Sequence, residues 1–261
     1  ACGVSLKDGR TITASTVAAG IHPRTLLLDL IGEQHLNVET TRRIRAYRSH
    51  SATFRMNVAL KDLPVFKNLT GQTRATFENT IEICPSLDYM SQAWLSARQA
   101  GWSKEPIVSM WFPSVLDDSL APEGEHVASL FCQHFMRHLP DSLSWDEVKS
   151  DVADHVIATV ERHAPGFTEL VVGRQVMSPL DIERNLGMVG GDIFHGALHL
   201  DQLFSLRPVA GFANYRMPVK GVYLCASGAH PGGGVTGLPG RNAAKVILAD
   251  LKMRSGLLPD S

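Results

Sequence analysis

The residues best suited to hold an electron-rich or anionic ligand crowd into one short stretch. Gly228, Gly232, Gly233 and Gly234 punctuate a loop that follows the apolar run Val222-Tyr223-Leu224-Cys225. Beyond it, from Leu238 to Met253, Ala243, Ala244, Ile247, Leu248 and Leu251 recur at three-to-four spacing. The run predicts a buried strand and the spacing predicts a helix. Strand, glycine loop and helix start together aim backbone N–H groups and the positive end of a helix dipole at a ligand. Three consecutive glycines after Pro231 have the most backbone freedom to lose on folding, and a loop that must come very close to a flat ligand accounts for them.

Gly232, Gly234 and Gly237 also satisfy G-x-G-x-x-G, but the dinucleotide fingerprint needs a second strand and an acidic residue about 20 positions on. Gly237 is followed by only 24 of the 261 residues, and the helix takes most of them. The stretch therefore reads as the closing strand and helix of a nucleotide domain.

Other constellations carry less. His195 and His199, beside Asp192 and Asp201, have the i, i+4 spacing of a helical metal site, as do His134 and His138. Such pairs also arise by chance, and no metal is expected. Asp117 and Asp118 are adjacent in a proline-containing loop and read as solvated. The cluster Arg42, Arg43, Arg45 and Arg48 reads as a solvated helix face. No G-x-S-x-G, Walker loop or H-E-x-x-H is present, which argues against the commonest hydrolase and NTPase chemistries.

The elements that must position the loop are legible in pattern. Val4, Leu6, Asp8-Gly9, Thr11 and Ile12 predict a hairpin, and 16–21 a third strand leading to His22-Pro23. Residues 24–48 read as helix with a break near Asn37. Phe54–Leu60 alternates and ends before Pro64; Thr80–Cys84, Pro106–Phe112, Glu125–Phe135 and Phe167–Met177 are further strands. Ser86 caps a helix over about 87–99 closed by Gly101, and Ser144 with Glu147 forms a capping box for one reaching His163. This is not the regular alternation of a doubly wound sheet. It predicts an α+β fold: a mostly antiparallel or mixed sheet with helices on one face, plus a layer made from both chain ends.

The run Gly221-Val-Tyr-Leu-Cys-Ala-Ser-Gly-Ala-His-Pro-Gly-Gly-Gly-Val-Thr-Gly-Leu-Pro-Gly-Arg-Asn-Ala-Ala resembles the C-terminal flavin motif of phytoene desaturase and carotenoid isomerase-like flavoproteins, within the flavin-containing amine oxidase superfamily. Ser178-Pro-Leu-Asp-Ile-Glu running to Gly190-Gly-Asp-Ile-Phe-His-Gly196 resembles a block upstream of that motif, and Gly3 to Pro23 resembles a segment near the middle of such enzymes. The three blocks fall in family order from end to end of the chain. Family members are about twice this length and begin with a glycine-rich strand–turn–helix for the adenosine diphosphate half of FAD, which nothing near Ala1 resembles. The resemblance thus implies a C-terminal half. Residues 1–25 and 210–261 would be a partial FAD-binding domain and 26–209 a substrate-binding domain. It implies FAD as cofactor, held at Ser227, Gly228, Gly233, Gly234, Val235 and Thr236. Ser227 stands where relatives often carry Asp or Glu. It names no catalytic residue.

Composition adds bounds. Charged residues are 20% and hydrophobic ones 44%, a globular balance, and a net charge of −1 gives no electrostatic case for nucleic acid. Cys2, Cys84, Cys132 and Cys225 form no C-x-x-C, which suggests free thiols in a reducing, cytoplasmic setting. No apolar run approaches transmembrane length. The expectation is the C-terminal portion of an FAD-dependent oxidoreductase acting on a C–C or C–N bond of a small apolar or amine-like substrate, with this chain alone holding FAD weakly and inactive. The alternatives are a flavin-free isoprenoid or hydrophobic-ligand carrier of the same superfamily, or an inactive fragment. With the flavin domain's first strand missing, Val222–Cys225 would have an open edge, so self-association as a homo-oligomer is expected too.

Overall fold

The computed structural model describes residues 1–50 and 52–254. Strands β1 (Gly3–Ser5), β2 (Thr11–Thr13) and β3 (Val17–Ala19) precede helix α1 (Val38–Arg45); β4 (Phe54–Leu60) and β5 (Ile81–Ile83) precede α2 (Leu87–Ala100). Strands β6 (Trp102–Trp111) and β7 (His126–Phe135) lead to α3 (Trp145–His163). Then come α4 (Phe167–Leu170), β8 (Val171–Met177), α5 (Pro179–Leu186), β9 (Val222–Leu224) and α6 (Leu238–Arg254). The architecture is α+β. The chain divides into two compact units, one of Ala1–Ser51 with Asp192–Ser261, the other of Ala52–Gly191.

The middle unit is a five-stranded antiparallel sheet in the order β5-β6-β7-β4-β8. Alternation along β4 places Phe54, Met56, Val58 and Leu60 on one face, and its partner β7 answers with Ala128, Leu130 and Cys132. Val152, Ala153, Val156 and Val160 of α3 belong to the same buried cluster. Ser144 starts α3 by accepting from the Asp146 N–H at 3.2 Å, while Glu147 reaches back to the Ser144 N–H, also at 3.2 Å. Gly101 ends α2 in the left-handed region, φ +90°. Two elements depart from the sequence reading. Phe167–Leu170 is a helical turn, with strand only from Val171, because Glu161 accepts from the Gly166 and Thr168 N–H groups and winds that corner. Pro179–Leu186 is a helix, started by a reciprocal Ser178–Asp181 cap with proline in the first turn.

The terminal unit is built on a two-stranded parallel pairing of β3 with β9, whose three residues are all buried. A short antiparallel hairpin joins β1 to β2. Asn37, where the break in 24–48 falls, caps α1 by accepting from the Thr40 N–H at 2.8 Å, and a wide helical turn spans Thr25–Gly32 before it. The buried cluster gathers Ala19, Leu26, Leu27, Ile44, Tyr47, Val209, Leu224 and Ala243. Residues 26–50 and 192–209 thus pack with the chain ends, and the compact units divide at 51/52 and 191/192. The Val222–Cys225 edge is not open: β3 lies on one side, and on the other the Met217 N–H donates to Val222 O and the Leu224 N–H to Tyr215 O, both at 2.9 Å. The ground for expecting self-association at that strand is removed. Helix α6 buries Ala243 and half-buries Val246 and Ile247, whereas Ala244, Leu248 and Leu251 of the expected apolar set are exposed. Asp250 anchors the helix, accepting from Arg216 Nε at 2.8 Å and Nη2 at 2.7 Å and from the Tyr223 hydroxyl at 2.8 Å.

Candidate functional site around the glycine loop

The end of β9, the glycine loop and the start of α6 enclose a recess of ≈ 210 Å³ lined by Cys225, Ala226 and Ser227, then Gly232, Gly233 and Val235–Gly240 without Leu238. No charged side chain among the described residues lines it. Its chemistry is that of backbone amides, the Ser227 and Thr236 hydroxyls and the Cys225 thiol, which burial pushes up and so keeps protonated. Thr236 Oγ1 accepts from the Leu238 N–H at 3.2 Å, so its hydroxyl serves the first turn of α6.

The glycines of the loop answer to different causes. A Cβ on Gly228 would lie 2.6 Å from Pro23, and one on Gly233 would lie 2.3 Å from the Phe194 ring. Those two are excluded by protein packing. Gly232 has φ +107° and faces Arg207 Nε at 3.4 Å. Gly234 is different: at φ +115° its missing Cβ would meet only Thr236 Cγ2, at 3.8 Å. No described residue crowds that position, and the left-handed backbone alone calls for glycine there. Val235 follows with φ +56° and is fully exposed, an apolar residue in a backbone region β-branched residues avoid. Among the sequence-predicted site residues, Ser227, Gly233, Val235 and Thr236 line the recess, Gly234 belongs to the same loop, and Gly228 packs behind it on Pro23.

A second set of residues, which sequence reasoning missed, holds the loop in place. Arg207 is fully buried, 0% exposed. Its Nε and Nη2 donate to Ser227 O at 2.9 and 2.7 Å, Nη2 also to Phe194 O at 2.7 Å and Gly196 O at 3.3 Å, and Nη1 to Gln202 O at 3.2 Å. One guanidinium ties the glycine loop to the 194–196 and 202 turns. Burial lowers its affinity for a proton, while Tyr47 and Asp192 oppose that shift. The carbonyl ring satisfies the planar donor fork that Arg alone carries. The only signal in sequence is an arginine before a proline.

Beside it, the Tyr47 hydroxyl donates to His195 O at 3.0 Å, and a Cβ on Gly196 would fall 1.9 Å from that hydroxyl oxygen. Burial pushes the Tyr47 phenol up to about 12. His22, 2% exposed, accepts from the Arg24 N–H at its Nδ1 (3.1 Å), so its Nε2 donates to Ser49 Oγ at 2.7 Å. Burial first, then the facing His195, Arg24 and Arg207, pull His22 down to about 3. His195 is lowered by burial as well, and its Nδ1, like that of His230, is buried without a hydrogen-bond partner among the described residues.

The remaining candidates resolve differently. His195 and His199 lie on an irregular segment and not on one helical face, and His199 Nε2 instead meets His50 Nε2 at 3.0 Å. Asp117 folds back onto Ser119, accepting from its N–H at 3.0 Å and hydroxyl at 2.6 Å. The arginine cluster is paired on an exposed face: Arg42 and Arg43 with Glu39, Arg45 with Glu33, and Arg48 with Asp201.

No protein-family model matches the chain. It is 41% identical over 256 residues to pyridine nucleotide-disulfide oxidoreductase domain-containing protein 2 of Rattus norvegicus, covering 96% of this chain and 44% of that protein. It is 24% identical over 252 residues to a limonene dehydrogenase subunit of Castellaniella defragrans (92% and 45%) and 25% identical over 252 residues to the lycopene-forming phytoene desaturase of Pantoea ananas (95% and 48%). The chain spans less than half the length of each of these relatives. Among solved structures, an oxidoreductase from Methanosarcina mazei, 12% identical, matches with a TM-score of 0.53 over 96% of this chain and 46% of that one, a likeness of fold. The chain is thus a homologue of the phytoene desaturase-like oxidoreductases, as the three sequence blocks imply. No helix among the described residues is long and apolar enough to cross a membrane.

Proposed function

We propose that this chain is the C-terminal portion of an FAD-dependent oxidoreductase, with 1–51 and 192–254 forming the flavin-facing unit and 52–191 the substrate unit. The observation that carries the reading is the ≈ 210 Å³ recess, lined by uncharged residues with the Ser227 and Thr236 hydroxyls among them, beside a loop whose Gly234 is crowded by no described residue. Such a donor set fits a flat, carbonyl-bearing ring, and relatives from limonene dehydrogenase to phytoene desaturase favour a redox role. Ser227, Gly228, Gly233, Gly234, Val235 and Thr236 would hold the flavin. When bound, it supplies the electron acceptor for oxidising a C–C or C–N bond of an apolar or amine-like substrate. The protein's own share is orientation and electrostatics. Arg207 fixes the Ser227 carbonyl and thereby the turn, Phe194 and Pro23 set the backbone path at Gly233 and Gly228, and the first turn of α6 presents its positive end.

The test is Gly234→Val in the protein that carries this chain. The yellow flavin absorption should disappear after dialysis while far-UV circular dichroism keeps the parent's shape, with a lowered melting temperature because valine is strained at φ +115°. Full flavin occupancy in that variant would sink the reading.

A further inference from the structure

The sheet of the middle unit has a second face, opposite its buried cluster, and that face carries a cation with no acidic partner. Register sets two rows across it. One runs Ser109, Phe131, Arg55, Met177 over β6, β7, β4 and β8; the other runs Trp111, Ser129, Asn57, Gln175. Arg55 lies with its guanidinium carbon 5.2 Å from the Phe131 ring centre and 5.9 Å from that of Trp111, and its Nη2 donates to Ser129 Oγ at 3.2 Å. Two aromatic faces and one hydroxyl leave most of its five donors available. The other half-buried arginines of this unit do have acids: Arg137 pairs with Glu183 and Arg174 with Asp154. Arg55 has no carboxylate within salt-bridge distance among the described residues. The acid sharing its row is Glu82, opposite Ser109 and three strands away, about 14 Å at sheet spacing. Burial lowers the guanidinium's proton affinity, so holding the charge there carries a cost that an arriving anion would offset. Around the cation stand apolar surfaces, Phe131, Met177 and a Trp111 that is 39% exposed, together with the amides of Asn57 and Gln175.

We propose that Arg55, with Trp111, Phe131 and Ser129, forms a subsite that takes an apolar molecule ending in a carboxylate, the guanidinium gripping the carboxylate and the aromatic pair packing the adjoining apolar part. The inference deepens the reading of 52–191 as the substrate unit and rests on it. A matched pair of probes, decanoate and decan-1-ol, below their aggregation limits, separates charge recognition from greasiness. Titrated into the full chain by calorimetry, decanoate should bind at least tenfold tighter than the alcohol, the margin a bidentate charge-assisted contact gives. Arg55→Met should remove that preference and leave the alcohol's affinity within about twofold, with Arg55→Lys intermediate because it keeps charge without the fork. Ser129→Ala, which leaves Arg55 in place, should weaken decanoate only slightly and covers the case in which Arg55→Met fails to fold. Equal affinity for the two probes in the parent chain, no binding of either, or a preference surviving in Arg55→Met would overturn the proposal. None of these readouts involves flavin. A carboxylate preference that depends on Arg55, found together with flavin retention in Gly234→Val, would keep the subsite and discard the flavin reading.

Discussion

The two units reach stability by opposite routes. The middle unit is an apolar sandwich: a five-stranded sheet whose inward residues alternate cleanly and meet the apolar stripe of α3, with Trp145 donating its Nε1–H to Met136 O at 2.9 Å. Among the described residues the terminal unit has one parallel strand pair, one short hairpin and a smaller cluster, and its irregular turns are held by buried polar groups, Arg207, His22, Gln202 and Asp192. Gln202 alone bonds Arg48 from both ends, its Oε1 accepting from the N–H at 2.8 Å and its Nε2 donating to the carbonyl at 3.0 Å. In the proposed reading the glycine loop keeps amides for a ligand, although the Gly232 N–H is already committed to Ala229 O. The difference teaches that the rigidity such a loop lacks can be supplied from behind by one multiply bonded cation.

The largest test of that contrast sets Arg207→Met against Leu130→Ala. Leu130 is fully buried in the sheet, and its truncation should cost about 2–5 kcal/mol by the usual cavity penalty. Arg207→Met keeps much of the volume yet strips four carbonyls of their donors, and should cost about 3–5 kcal/mol, confined to the terminal unit. Urea melts read globally, with hydrogen exchange assigning the loss to a unit, would check it. A cost below about 1 kcal/mol at Arg207 would mean the carbonyl ring does not hold the loop.

That contrast also explains what the sequence reveals and what it hides. The middle unit declares itself through period: Phe54–Leu60, the Ser86 and Ser144 caps and Gly101 are all local signals, and each sits where its pattern predicts. Pro179–Leu186 escapes that reading because its motif resemblance masks an ordinary Ser-Pro-x-Asp helix start. The terminal unit shows its loop by motif but not its supports. Arg207, Gln202, Tyr47 and His22 lie far from the glycines in sequence and act through backbone carbonyls and hydroxyls, contacts that leave no spacing to read. The unit's limits at 51 and 192 are hidden for the same reason, since Leu26, Leu27 and Ile44 join the cluster only in three dimensions.

Acid sharpens the comparison at middle scale. Folded His22 is pulled down to about 3 from its ordinary 6.5. Above pH 6.5 both folded and unfolded states are neutral and nothing changes. Between pH 6.5 and about 3 the unfolded chain takes up a proton that the folded one refuses, so stability falls with falling pH by about 1.4 kcal/mol per unit, then levels off. At pH 5 that amounts to about 2 kcal/mol. His126 and His134 of the middle unit are lowered too, chiefly by burial, so the whole chain should weaken in acid. His22→Asn, which cannot take up a proton, should make the slope shallower in the terminal unit only, His195 supplying what remains there. An unchanged pH profile of hydrogen exchange at residues 22–49 would show that His22 is not held neutral.

The smallest effect belongs to the cap that starts α5. Ser178 Oγ accepts from the Asp181 N–H at 3.2 Å, while Asp181 Oδ2 accepts from the Ser178 N–H at 2.9 Å and from Lys149 Nζ at 3.0 Å. Hydrogen bonding from Ser178 and Lys149 outweighs burial and holds the Asp181 carboxyl below the usual range. Ser178→Ala removes one acceptor and one donor but leaves the ion pair and the Pro179 first turn intact, so about 1 kcal/mol should be lost. The middle unit's large apolar core should absorb this without a change in cooperativity, seen as a lower urea midpoint at constant slope. A change in slope, or a loss like that at Arg207, would mean that a single polar contact matters as much here as in the terminal unit, and the distinction between an apolar and a polar route to stability would not hold.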